Sequence, residues 1–126
     1  MNILLTGGLG YIGSHTAVVL AQAGHRLVLL DNLSNSRLDV ADRLAAILGV
    51  KPVVEVGDVL DTIRLRLILK HYAIDAVIHF AGLKAVGESV AQPLAYYHNN
   101  VAGTVSLLRA MAEQGVKRLV FSSSAT

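Results

Sequence analysis

A run of glycines and one acid carry the first chemical signal. Thr6-Gly7-Gly8-Leu9-Gly10-Tyr11-Ile12-Gly13 sets Gly8, Gly10 and Gly13 in a G-x-G-x-x-G pattern, and Gly7, Gly10 and Gly13 at three-residue intervals. Either reading has the same physics. Glycine permits a sharp turn, lets backbone approach a pyrophosphate, and lets a helix lie close to a strand. The helix that follows offers free N–H groups and a partial positive charge to an anion. Asp31 comes 18 residues after Gly13, near the spacing of about 20 at which an acid binds a dinucleotide's ribose. A carboxylate there accepts from both adenosine ribose hydroxyls and repels a 2′-phosphate, so it favours NAD over NADP. Arg37 is a weak signal the other way. In their plain structural readings the glycines form a turn and Asp31 ends a strand or caps the next turn.

Those residues need a strand before the glycines, a helix after them and a second strand ending at the acid. The pattern supplies all three. Asn2–Leu5 reads as a strand, and a helix runs from about Tyr11 to Ala23, closed by Gly24. Arg26–Leu30 is a second strand that stops at Asp31. Ser36 with Asp39 resembles a capping pair for a helix to about Leu48, ended by Gly49. Pro52–Val56 is a third strand. Asp61 caps a helix to about Tyr72, although the alternation Ile63, Leu65, Leu67 would also suit a strand. Ala76–Phe80 is a fourth strand. From Leu94, the positions Tyr97, Val101, Val105, Leu108 and Met111 form a helical seam ended by Gly115. Arg118–Phe121 is a fifth strand. Strands alternating with helices predict an α/β fold: a partial doubly wound (Rossmann) parallel sheet in the order 3-2-1-4-5, with helices on both faces.

Composition agrees. Of 126 residues, 53% are hydrophobic and 16% charged, which excludes disorder and suits a parallel sheet covered on both faces. No apolar run approaches the roughly 20 residues of a membrane span. The formal net charge of +2, with basic residues scattered, gives no case for nucleic acid. There is no cysteine, so disulfides, thiolate nucleophiles and cysteine-based zinc sites are excluded, and no metal site is expected. The N-terminus lacks a basic n-region, and a cytoplasmic location is the default.

Several separated segments then agree with one family. Thr6–Gly13, Asp31-Asn32, Gly57-Asp58-Val59, His79–Ser89 (HFAGLKAVGES), Asn99-Asn100 and Phe121–Thr126 (FSSSAT) resemble the extended short-chain dehydrogenase/reductase family along the whole chain. HFAGLKAVGES together with DNLSNS at Asp31–Ser36 resembles its members that epimerise C4 of UDP-glucose and UDP-galactose, in galactose metabolism. The resemblance implies NAD as cofactor, a UDP-sugar as substrate of the complete enzyme, and a set of roles. Gly7, Gly10, Tyr11, Ile12 and Gly13 lie at the pyrophosphate. Asp31 binds the adenosine ribose, and Asn32, Asn35 and Ser36 line that pocket. Asp58 and Val59 flank the adenine, with Asp58 bonding its exocyclic amine. Phe80, Ala81 and Gly82 pass the dinucleotide, and Lys84 meets its phosphate or ribose. Asn99 touches the nicotinamide side. Ser124 is the catalytic serine that bonds the sugar 4-hydroxyl. A homodimer is the expected assembly.

Each also has a plain reading. Asp58 after Gly57 could begin a turn, Lys84 could be a solvated loop lysine, Asn99 could bond a helix carbonyl, and Ser122, Ser123 and Ser124 could form a polar loop. His79, in an apolar strand, reads as a packed core histidine rather than a ligand, and Tyr96 and Tyr97 as helix packing residues.

One expected part is missing. The family's base is a Tyr-x-x-x-Lys pair in which lysine lowers the tyrosine pKa. Four residues after Tyr11, Tyr72, Tyr96 and Tyr97 stand His15, Ala76, Asn100 and Val101. The chain therefore reads as an N-terminal fragment: residues 1–126 are an NAD-binding domain cut before that pair and before the substrate domain, inactive by itself. Two rivals stay open, another NAD-dependent nucleotide-sugar enzyme (a dehydratase or decarboxylase) and a non-catalytic NAD-binding module.

Overall fold

The computed structural model describes residues 1–33, 38–80 and 93–122. Strands β1 (Asn2–Thr6), β2 (Arg26–Asp31), β3 (Val53–Val56), β4 (Ala76–His79) and β5 (Arg118–Phe121) form one parallel sheet in the order β3-β2-β1-β4-β5. The connecting helices are α1 (Tyr11–Gln22), α2 (Asp39–Leu48), α3 (Thr62–His71) and α4 (Pro93–Gln114). The expected order and elements hold, with boundaries moved by a residue or two. β2 includes Asp31, and β4 stops at His79.

The central strands are buried on both faces. Leu4, Val28, Leu30 and Val77 belong to a core with α3 and α4 residues Leu65, Ile68, Leu69, Leu107, Ala110 and Met111. Ile3, Leu5 and Leu29 face a second core, with Ala17 of α1 and Ala41 and Leu44 of α2. This is the two-sided burial that makes parallel strands read as continuous apolar runs. Helices end where glycine takes a left-handed backbone, at Gly49 and Gly115. The Asp61 carboxylate accepts the Arg64 N–H at 3.1 Å and caps α3 as expected. The helical reading of that segment is also the right one: Leu65, Ile68 and Leu69 are buried while Ile63 and Leu67 are exposed. Ser36 lies outside the described residues, and α2 opens with Asp39 and Asp42 in its first turn.

The seam expected on α4 is a correction. Met111 is buried, but Val101, Val105 and Leu108 are 45–49% exposed. The face that packs is Gly103, Ser106, Leu107, Ala110 and Met111, an i, i+3, i+4, i+7, i+8 stripe. Its small residues let the helix come close: a Cβ on Gly103 would lie 2.8 Å from Val59 Cγ2. Ser106 Oγ lies 2.6 Å from Thr62 Oγ1 of α3, and Arg66 of α3 pairs with Glu113 of α4.

Both ends of α3 are tied to Glu55 of β3. Arg64 donates to Glu55 Oε2 at 2.9 Å, and the Tyr72 hydroxyl donates to Oε1 at 2.9 Å. The bond to Glu55 raises the Tyr72 phenol above its usual value near 10. A raised native pKa stabilises the fold fully below the unfolded value, and that contribution is lost as pH climbs through the native one. The stability gap between wild type and Tyr72→Phe is therefore expected to be constant near neutrality and to narrow above about pH 10. Denaturant melts across that range check it, and a gap that stays constant would contradict the bond's role.

Candidate functional site

The site is built at the carboxyl ends of β1, β2 and β3. After Thr6 the chain turns sharply at Gly7, which has φ +73°, a region costly for any residue with a Cβ. The N–H groups of Gly7 and Gly8 both donate to the Leu30 carbonyl, at 2.6 and 3.3 Å, and Gly10 N–H donates back to the Gly7 carbonyl at 3.1 Å. The turn is thus folded onto the end of β2. A Cβ on Gly8 would stand 2.8 Å from Leu29 Cβ, one on Gly10 would be 3.3 Å from the Gly7 oxygen, and one on Gly13 would collide with that oxygen. Both glycine spacings in the sequence therefore have work to do. Gly7 makes the turn, Gly8 lies against β2, and Gly13 brings α1 down onto the turn.

Helix α1 has Gly10 as its N-cap residue, with no side-chain cap and no acid in its first turn. Its first backbone bond is Ser14 N–H to the Gly10 carbonyl, at 2.8 Å. The N–H groups of Tyr11, Ile12 and Gly13 precede it, so they are the donors a helix start leaves for a partner. Tyr11 and Ile12 are exposed, at 81% and 56%. The Tyr11 carbonyl is engaged by Ser14 Oγ and His15 Nδ1.

Asp31 does more than the sequence suggested. Its buried carboxylate accepts Leu9 N–H at 3.1 Å on Oδ2 and Leu33 N–H at 2.8 Å on Oδ1. Its carbonyl accepts Gly57 N–H at 3.0 Å. One residue thereby joins the glycine turn, the loop after β2 and the turn after β3. The plain reading of Asp31 as a turn-capping acid is correct. Asn32 follows, exposed.

Asp58 is half-buried in the β3–α3 turn. Its Oδ1 accepts Leu60 N–H at 2.9 Å and its carbonyl accepts Asp61 N–H at 3.0 Å. The Val59 side chain is buried in the core against Gly103, so only its backbone is left to meet a ligand. At β4, Phe80 N–H donates to the Thr6 carbonyl at 2.7 Å. Asn99 lies in the N-terminal half of α4. Asn35, Ser36, Ala81, Gly82, Lys84 and Ser124 lie outside the described residues.

His79 is the core histidine expected. It is buried, with Nδ1 2.6 Å from Thr6 Oγ1, Nε2 3.5 Å from Thr104 Oγ1, and its ring beside Phe121. Thr6 and Thr104 escaped the sequence reading because a threonine in a strand or helix has no signature until its partner is known. Among the described residues no group of His, Asp and Glu could hold a metal ion, and no helix is long and apolar enough to cross a membrane.

Known proteins share this fold. Residues 3–126 match the model of the NAD dependent epimerase/dehydratase family. UDP-glucose 4-epimerase of Yersinia enterocolitica is 54% identical over the whole chain, which spans 38% of that relative. A Klebsiella pneumoniae protein of the same name is 55% identical, and the chain spans 91% of it. Among solved structures, UDP-glucose-4-epimerase from Stenotrophomonas maltophila, with bound NAD and formylated UDP-arabinopyranose, superposes with a TM-score of 0.97 at 50% identity, over 99% of this chain and 37% of that one. The Bifidobacterium longum enzyme, in complex with NAD+ and UDP, gives 0.95 at 43% identity, over 99% and 37%. The glycine turn, the uncapped helix start and the acid that joins three loops thus stand on a fold that these proteins share, and the chain belongs to the NAD dependent epimerase/dehydratase family.

Proposed function

We propose that this chain is the NAD-binding part of an enzyme that interconverts UDP-glucose and UDP-galactose by epimerisation at C4. The observation that carries the reading is the glycine cradle beside Asp31. The space a Cβ would need at Gly13 is taken by the Gly7 carbonyl, and the donors of the first α1 turn precede any helical bond. That is a seat for a pyrophosphate next to an acceptor for ribose hydroxyls, at the sheet edge where doubly wound folds bind dinucleotides. The residues fit NAD.

In this reading Tyr11, Ile12 and Gly13 hold the pyrophosphate through backbone N–H groups. Asp31 holds the adenosine ribose, in a pocket shared with Asn32, Asn35 and Ser36. The Asp58 carboxylate takes the adenine amine, with the Val59 backbone beside it. Phe80, Ala81, Gly82 and Lys84 line the path toward the nicotinamide, and Asn99 meets that end. Ser124 orients the sugar 4-hydroxyl. When bound, NAD supplies the redox chemistry, with hydride leaving C4 and returning to the opposite face. A UDP-sugar is the substrate, and the site lies in the cytoplasm. The complete enzyme pairs as a homodimer.

The test is conversion of UDP-galactose to UDP-glucose. The complete protein carrying this chain is expected to turn over. Residues 1–126 alone are expected to show none above background, because loss of a general base by itself typically costs about 10²–10⁴-fold. Turnover by residues 1–126 would overturn the assignment of the base to a Tyr-x-x-x-Lys pair outside them. No turnover by the complete protein would overturn the activity itself.

A further inference from the structure

The β3–α3 turn contains a device that the glycine motif does not explain. A Cβ on Gly57 would lie 3.0 Å from Arg64 Nε and 3.1 Å from Arg64 Cδ. The arginine therefore lies directly across the Gly57 backbone, one residue before Asp58. Its Nε–H is buried there and makes no hydrogen bond among the described residues. A guanidinium does not choose such a place for its own bonding. It is held by Glu55, which takes its terminal N–H at 2.9 Å while the other carboxylate oxygen is engaged by Tyr72.

We propose that Arg64 is a positioning residue for the adenine end of the cofactor site: held by Glu55, it fills the space a side chain at Gly57 would take and fixes the turn that presents Asp58. The proposal rests on the reading of Asp58 given above. Three connections support it. Gly57 N–H is bonded to the Asp31 carbonyl, so the Arg64 side chain packs beside a turn already tied to the acid assigned to the ribose. The Arg64 backbone N–H is bonded to Asp61, whose own N–H is bonded to the Asp58 carbonyl. Finally, Tyr72 at the far end of α3 shares the same Glu55, which sets the direction of the helix that begins at Asp61. A Cβ at 57 would force the arginine to give way by a few tenths of an ångström.

A ratio of two ligands tests this, because general loosening lowers both affinities and leaves their ratio alone. Asp58 would accept from the adenine amine, whereas nicotinamide hypoxanthine dinucleotide presents a carbonyl there. Calorimetric titration of the protein is expected to favour NAD over the hypoxanthine analogue by about tenfold or more, the worth of one charge-assisted hydrogen bond. Asp58→Ala should bring the ratio near one. Arg64→Leu and, separately, Glu55→Gln should lower it to about threefold, as a misplaced acceptor keeps part of its bond. Arg64→Lys, which retains a cation for Glu55, should recover part of the ratio. If Asp58→Ala abolishes the preference while Arg64→Leu and Glu55→Gln keep it whole, the positioning role is wrong and the reading of Asp58 stands. If wild type shows no preference, the reading of Asp58 fails first.

Discussion

Gly13→Ala is expected to damage the site more than any other single methyl group. The added Cβ would meet the Gly7 carbonyl oxygen, the Gly7 carbonyl carbon and Gly8 Cα. All three are backbone atoms, and the Gly7 carbonyl is itself held by Gly10 N–H. Nothing there is a flexible side chain that could swing away. The helix start must lift off the turn, and the donors of Tyr11, Ile12 and Gly13 move with it. Overpacking typically costs about 1–3 kcal/mol, and a displaced anion seat adds a loss of NAD affinity of at least about tenfold, or 1.4 kcal/mol. Gly8→Ala should come next, since its Cβ would press on Leu29 Cβ at 2.8 Å, and Gly10→Ala should be mildest of the three. Gly24→Ala is the control. That residue has φ +94° with nothing within 4 Å, so alanine should cost about 1–2 kcal/mol of backbone strain and leave cofactor affinity alone. Melts and NAD titrations of the four variants check the order. Equal affinity for Gly13→Ala and Gly24→Ala would contradict the cradle.

Replacing Asp31 is expected to have two separable effects. Asp31→Ala leaves the Leu9 and Leu33 N–H groups without their acceptor, and each bond to a charged group is worth about 1.5–3 kcal/mol. The glycine turn and the loop after β2 should loosen together. The second effect is on cofactor choice. A carboxylate beside the ribose repels a 2′-phosphate, and opposed like charges cost several kcal/mol, so wild type should bind NAD more tightly than NADP by about a hundredfold or more. Asp31→Asn retains one oxygen acceptor and removes the charge, and it should shrink that preference with a smaller loss of stability than Asp31→Ala. Paired titrations with NAD and NADP, beside denaturant melts, separate the two. An unchanged preference in both variants would show that Asp31 serves the fold alone.

The strand order and the glycine turn were legible because both are written in hydropathy and glycine placement. Apolar runs such as Leu27–Leu30 stand out, and a helix start after Gly10 follows from a turn that only glycine makes. The packing face of α4 was not legible. A reader of hydropathy selects Val101, Val105 and Leu108, while close approach to Val59 and α3 selects Gly103, Ser106 and Ala110, which score as weakly apolar or polar. The bond of Asp31 to Leu33 is the turn cap its position suggests, but its bond to Leu9 was hidden for a different reason. Backbone N–H groups exist at nearly every residue, and sequence does not say which of them folding leaves in need of an acceptor. The same holds for Thr6 and Thr104 on His79, and for Arg64 across Gly57. Each depends on a partner far off in sequence or on the absence of a Cβ at one point.

A dinucleotide is expected to lie across the glycine turn with its adenosine ribose on Asp31. A crystal structure of the protein grown with NAD tests it most directly. The expected result is pyrophosphate oxygens about 3 Å from the first N–H groups of α1, with ribose hydroxyls donating to the Asp31 carboxylate while that group still holds Leu9 and Leu33. A dinucleotide bound elsewhere, or one bound here with the ribose turned away from Asp31, would contradict it.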